Sequence, residues 1–405
     1  MQRSTIDLDG PWEFAVDPEA VFTSAAFATI ATRTVAVPAP WQSQADDLRQ
    51  YAGVAWYRRR FAAPDTEHGY GNWLRFGAVD YHATIWLNGE LLGEHEGGYL
   101  PFELRADSAL RPGDNELVVR VLDPGPGSRS AIPFDEIPHG KQSWYGPLGG
   151  IWQSVSLETR PLTHISRIHV TPQPAEECAT VALMLNQAYD HNVTLHLHLH
   201  DPHGAVVEHT YTIEAGQRSF MLTLPVPAPL LWDIDQPHLY LLKASLQAGA
   251  APVDISQITF GMRSIATRNG QLLLNGRPIY LRGALDQDYY PDLIATPFSD
   301  EELDRQFYLA KQMGLNCLRT HIKITDPRYY AAADRAGLLI WTELPNWELL
   351  TDETKRRAED TLRGMVERDW NHPSIVIWTI INEGWGVDLL HNAEHRAWLA
   401  ATYDW

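Results

Sequence analysis

The distribution of apolar positions divides the chain into three stretches with different periods. From residue 1 to about 159, short apolar runs lie between turn signals. They include 35–37, 55–61, 73–76, 83–87, 91–92, 116–121 and 151–157. Asn88-Gly89 joins two of them, a strong hairpin signal. No helical period intervenes, which predicts an all-β sandwich of jelly-roll type. Residues 160–261 are again strand-like and amount to about one immunoglobulin-sized sandwich. Within them Leu195-His196-Leu197-His198-Leu199-His200 alternates strictly. The leucines are expected to face a core and the histidines to line an open strand face rather than hold a metal.

After Gly261 strands alternate with helices. The apolar runs predict strands at 278–283, 315–320, 338–341 and 375–381. Ser299 with Glu302 three residues on forms a capping box. Asp326-Pro327 opens a second helix with Pro at its first position. Thr351 starts a third, and a last helix is expected from near Val387 to Trp405. Four βα units mean a parallel sheet, open or closed into a barrel. The 143 residues from Arg263 onward are about half of what an eight-unit barrel needs. The pattern therefore predicts domains at 1–159, 160–261 and 262–405, the last being half a barrel.

In parallel sheets chemistry gathers at the carboxyl ends of the strands. Those ends carry Asp288, then Arg319 and His321, then Glu343, then Asn382, Glu383 and Trp385. Glu383 follows a fully apolar strand. Desolvation there is expected to raise its pKa, as a general acid at a glycosidic oxygen requires. Asn382 beside it can hold a sugar hydroxyl.

Composition narrows the classes. A formal charge of −19 disfavours nucleic acid and anionic membranes as partners. The longest near-apolar run, Ile375 to Ile381, is far short of a membrane span. No signal peptide is seen, so a cytoplasmic location is expected. Two distant cysteines give neither a disulfide framework nor a zinc pattern. Nucleotide-binding and serine-hydrolase motifs are missing, so no organic cofactor is expected. The 15 Trp and 16 Tyr suit pyranose faces.

The run from Asn371-His372-Pro373-Ser374 through Trp378 into Asn382-Glu383 resembles the signature of glycoside hydrolase family 2, the family of β-galactosidases and β-glucuronidases. Gly10-Pro11-Trp12, Tyr57-Arg58-Arg59, Leu87-Asn88-Gly89 and Gly149-Gly150-Ile151-Trp152 resemble its jelly roll. Leu231-Trp232, Pro237 and Leu239-Tyr240 resemble its immunoglobulin-like domain. The resemblance implies a retaining β-glycosidase with a carbohydrate substrate. Glu383 would be the acid/base, Asn382 the ligand of the sugar 2-hydroxyl, and Arg319 the residue that orients the nucleophile. His321 stands one place from the family's Arg-x-x-His, and Gln287-Asp288 replaces its His-Glu pair. Asp288, Glu343 and Trp385 are candidate rim contacts. The nucleophilic Glu belongs to the family's seventh strand, so the 405 residues read as a chain truncated within the barrel and inert by themselves. No metal ligands carry over. The oligomeric state is open, a homo-oligomer included. Two rivals stand beside this reading: a jelly-roll carbohydrate-binding protein without catalysis, and an open-sheet α/β enzyme with one catalytic Glu.

Overall fold

The computed structural model describes residues 3–63, 65–126, 130–248 and 251–404. Its first unit is a β-sandwich. A six-stranded sheet faces a four-stranded one, and Trp12, Phe14, Trp41, Tyr57 and Phe76 fill the space between them. Asn88 and Gly89 both adopt positive φ between strands His82–Leu87 and Glu90–Glu96, as a two-residue hairpin demands. The second unit packs a three-stranded sheet on a four-stranded one. Leu195, Leu197 and Leu199 are buried there. The histidines between them meet protein partners: His196 lies 2.8 Å from Gln247 and His198 pairs with Glu208 at 3.2 Å.

The third unit is a parallel sheet of four strands in sequence order. These are β1 (Gly283–Asp286), β2 (Cys317–Thr320), β3 (Leu339–Glu343) and β4 (Ile375–Thr379). Helices α1 (Asp300–Gln312), α2 (Pro327–Ala336) and α3 (Asp352–Asp369) connect them. The caps fall where the sequence puts them. Ser299 Oγ accepts from the Glu302 amide at 3.2 Å, Asp326 from the Arg328 amide at 2.9 Å, and Thr351 from the Thr354 amide at 3.2 Å.

Two expectations need correction. The first parallel strand is not 278–283. Arg277–Pro278 instead ends a small antiparallel sheet with Ile265–Arg268 and Gln271–Leu274. Its two turns are Asn269-Gly270 and Asn275-Gly276, with all four residues at positive φ. The last helix, α4, runs only from Ala393 to Asp404. Before it, Asp388 accepts from the Leu390 and His391 amides and holds a local turn. β4 is left uncovered, as half a barrel implies. Among the described residues it pairs only with β3, and Trp378 is 36% exposed.

The Asn371-His372-Pro373 motif is a junction. Asn371 Oδ1 accepts from the Val170 amide, and its Nδ2 donates to Ile168 O, both at 2.8 Å. It thus completes the edge of a strand of the second unit. His372 pairs with Asp334 at 2.6 Å, and Asp334 Oδ1 also accepts from the Ser374 amide. Pro373 packs where a side chain on Gly261 would come within 2.8 Å of it, so this position admits only glycine. Asn371→Ala should therefore cost about 2 kcal/mol, two hydrogen bonds of about 1 kcal/mol each. Urea unfolding measures it; unchanged stability would mean the junction rests on packing alone.

Candidate active site

The carboxyl ends of β1 to β4 form one rim, and Arg319 ties it together. Its Nε donates to Glu343 Oε1 at 2.5 Å, and its Nη2 donates to Asn382 Oδ1 at 2.7 Å. The guanidinium lies 5.0 Å above the Trp341 ring. One side chain from β2 thereby fixes a carboxylate at the end of β3 and an amide just past β4.

Glu343 has no solvent exposure. Its Oε2 accepts from the Ile322 amide at 2.9 Å and lies 3.2 Å from His321 Nδ1. Both oxygens are thus engaged by protein groups. Burial pushes the His321 imidazole below its ordinary range, against the upward pull of Glu343. Asn382 is buried, and its amide N–H donates to Asn346 Oδ1 at 2.7 Å.

Asp288 departs from the expected role. It is buried, paired with Lys323 at 2.7 Å, and accepts from the Tyr290 hydroxyl at 2.8 Å. Burial raises its pKa to about 6 despite Lys323.

Glu383 is exposed. Within these 405 residues β4 is the last strand of the sheet, and solvent reaches the corner that follows it. The backbone is nonetheless specified. Glu383 has φ 55°, in the left-handed region that costs a non-glycine residue about 1 kcal/mol or more. Asp288 and the β-branched Ile322 share that region with φ 50° and 43°. Strained corners thus follow three of the four strands, as at sites where side-chain direction matters more than backbone comfort.

The first unit's stretch between Asp123 and Gly150, rich in Gly, Pro and aromatics and too long for a simple turn, reads in sequence equally as a functional or a linking loop. Residues 130–149 of this loop cross to the rim; residues 127–129 lie outside the described residues. The amides of His139 and Gly140 donate to Asn346 O at 3.0 and 2.9 Å. Gly140 has φ 62°, and a Cβ there would come 2.4 Å from Ile322 O. Lys141 then lies 4.7 Å over the Trp385 ring and 4.5 Å over that of Trp144. Tyr145 meets Tyr289 at 4.6 Å between ring centroids. Gln142 ties the loop back to the sandwich by donating to Asp80 Oδ2 at 2.9 Å. Loop length and composition hinted at a role, but nothing in sequence placed Lys141 at the rim.

Asp80 and Asp123 form a buried acidic pair under this loop. Burial first, and each other's charge second, raise Asp80 far above its usual range, and burial raises Asp123 to about 7. The folded state therefore holds protons that the unfolded chain has lost, from about pH 4 up to about pH 7. Stability falls as pH rises through that window, by up to about 1.4 kcal/mol per unit for each carboxyl. Asp80→Asn, which keeps an acceptor for Gln142, should flatten the slope of melting temperature against pH. An unchanged slope would place the protons elsewhere.

Residues 6–161 match the sugar binding domain of glycosyl hydrolases family 2, residues 163–263 a second domain of that family, and residues 265–404 its TIM barrel domain. The chain belongs to glycoside hydrolase family 2. Its three units are that family's jelly roll, its immunoglobulin-like domain and part of its TIM barrel. Among family 2 relatives, a putative β-glucuronidase of Formosa agariphila is 31% identical over 81% of this chain and 40% of its own length. A β-galactosidase of Thermoanaerobacter pseudethanolicus is 30% identical over 82% of this chain and 45% of its own. The chain thus spans less than half of these relatives. The solved β-glucuronidase of Ruminococcus gnavus in complex with D-glucuronic acid matches the whole chain and 70% of its own, with a TM-score of 0.84 at 24% identity, and so shares the fold. Within the described residues no helix is long and apolar enough to cross a membrane.

Proposed function

We propose that this chain carries the acid/base side of a retaining β-glycosidase site, for β-galactosides or β-glucuronides. Glu383 protonates the glycosidic oxygen as a carboxylate on a polypeptide completing the barrel attacks the anomeric carbon. Glu383 then takes a proton from the water that releases the sugar. Asn382 holds the 2-hydroxyl, and Arg319 keeps Asn382 in place. The observation that carries this reading is the Arg319 bridge from Glu343 to Asn382, which fixes the Asn382-Glu383 corner at the open rim. His321 flanks the sugar and Trp385 the group being cleaved off, whereas Asp288 and Glu343 act through their neighbours. No organic cofactor enters the scheme.

The test is a crystal of the 405-residue chain soaked in an iminosugar mimic of galactose or glucuronate. A ligand beside Glu383 and Asn382 supports the reading. A ligand on the jelly roll, with the rim empty, favours a carbohydrate-binding protein without catalysis.

A further inference from the structure

We infer that Lys141, Trp144 and Trp385 form a leaving-group subsite that selects for an oxyanion, a carboxylate or a sulfate, on the group being cleaved off. The inference rests on the proposed glycosidase reading and adds a substrate class to it.

Lys141 is not an ordinary surface lysine. The backbone just before it is clamped to the rim through Asn346, and the side chain just after it is clamped to the sandwich through Asp80. Its position is thus set from two domains. Its ammonium lies between two indole faces, and Lys141 forms no ion pair with a carboxylate among the described residues. In a chain of formal charge −19, that leaves a held cation free to meet a ligand. Trp144 is 73% exposed and Tyr145 53%, so the ring faces available for stacking are open.

The location says which part of a substrate is met. The cleaved sugar must lie inward, over Asn382 and Arg319. The leaving group lies beyond the acid that protonates it. Lys141 comes from the first unit's loop rather than from the sheet, feels the charge of Glu383 and reaches His321 with its own. An anionic leaving group would lay an apolar face on Trp144 or Trp385 and place its charge at the ammonium. A partly shielded ammonium–oxyanion contact of this kind is attenuated by salt.

The test is calorimetric or tryptophan-fluorescence titration of the 405-residue chain at low and high salt. The probes are phenyl β-galactoside and phenyl β-glucuronide, with the 4-carboxyphenyl and 4-sulfooxyphenyl forms of each. We expect the charged forms to bind about 5- to 10-fold tighter at low salt, with the advantage shrinking as salt rises. Lys141→Met should abolish that advantage and leave the affinity for phenyl glycosides unchanged, and Lys141→Arg should retain it. Trp144→Ala should weaken all the probes. An advantage confined to one oxyanion would identify which the subsite takes. No advantage in the native chain, or the same advantage in Lys141→Met, overturns the inference while leaving the glycosidase reading intact. If none of the glycosides binds, the glycosidase reading falls and this inference falls with it.

Discussion

Glu383→Gln, in a polypeptide that completes the barrel, should slow hydrolysis of alkyl and sugar β-glycosides by about a hundred- to ten-thousand-fold, the usual worth of a positioned acid. Dinitrophenyl β-glycosides should lose far less in the glycosylation step, because that leaving group departs without a proton. Gln keeps the size of the side chain and its reach from the φ 55° corner, so the substitution removes proton transfer with little else. The measurement is kcat/KM across leaving groups of graded acidity, which reports glycosylation. A steep dependence on leaving-group acidity in the variant and a shallow one in the parent are expected. Equal loss on every substrate would mean that Glu383 does not supply the proton.

The second large effect concerns Glu343. Glu343→Gln retains shape but removes the charge that two groups share with one backbone amide. Breaking a buried ion pair by deleting one partner costs about 3–5 kcal/mol; Arg319 keeps 28% side-chain exposure, which lowers the expected cost to about 3 kcal/mol. Arg319 would also lose its anchor toward Asn382, so iminosugar affinity should fall together with melting temperature. A variant as stable as the parent, but without sugar binding, would make Glu343 a direct substrate contact instead.

How far the sequence could be read depended on the range of the interactions. Caps and β-strand alternation are local, and Ser299, Asp326, Thr351 and the Leu195–Leu199 face stand where the pattern puts them. The parallel strand ends brought Arg319, His321, Glu343 and Asn382 together because β1 to β4 run side by side in sequence order. The error at 278–283 was also local: Asn269-Gly270 and Asn275-Gly276 are the same hairpin signal as Asn88-Gly89, and they mark an antiparallel sheet. Other features are non-local. No spacing reveals that both oxygens of Glu343 are occupied, or that Lys323 sits under Asp288. Nor does the first unit's sequence say that Gly140 lands on Ile322, or that Lys141 ends over Trp385. The solvation of Glu383 depends on which strands flank β4, a property of the sheet rather than of the strand.

The central claim is that Glu383 is the acid/base of a retaining site, and azide rescue of Glu383→Ala tests it most directly. With a dinitrophenyl β-glycoside the variant should form the glycosyl-enzyme and stall, since water now lacks a base. Azide needs no base and fits the space left by the side chain. The account predicts that added azide restores turnover and that the product is the β-glycosyl azide, with configuration retained. An α-glycosyl azide would make Glu383 the nucleophile, and no rescue with full residual hydrolysis would remove it from the chemistry.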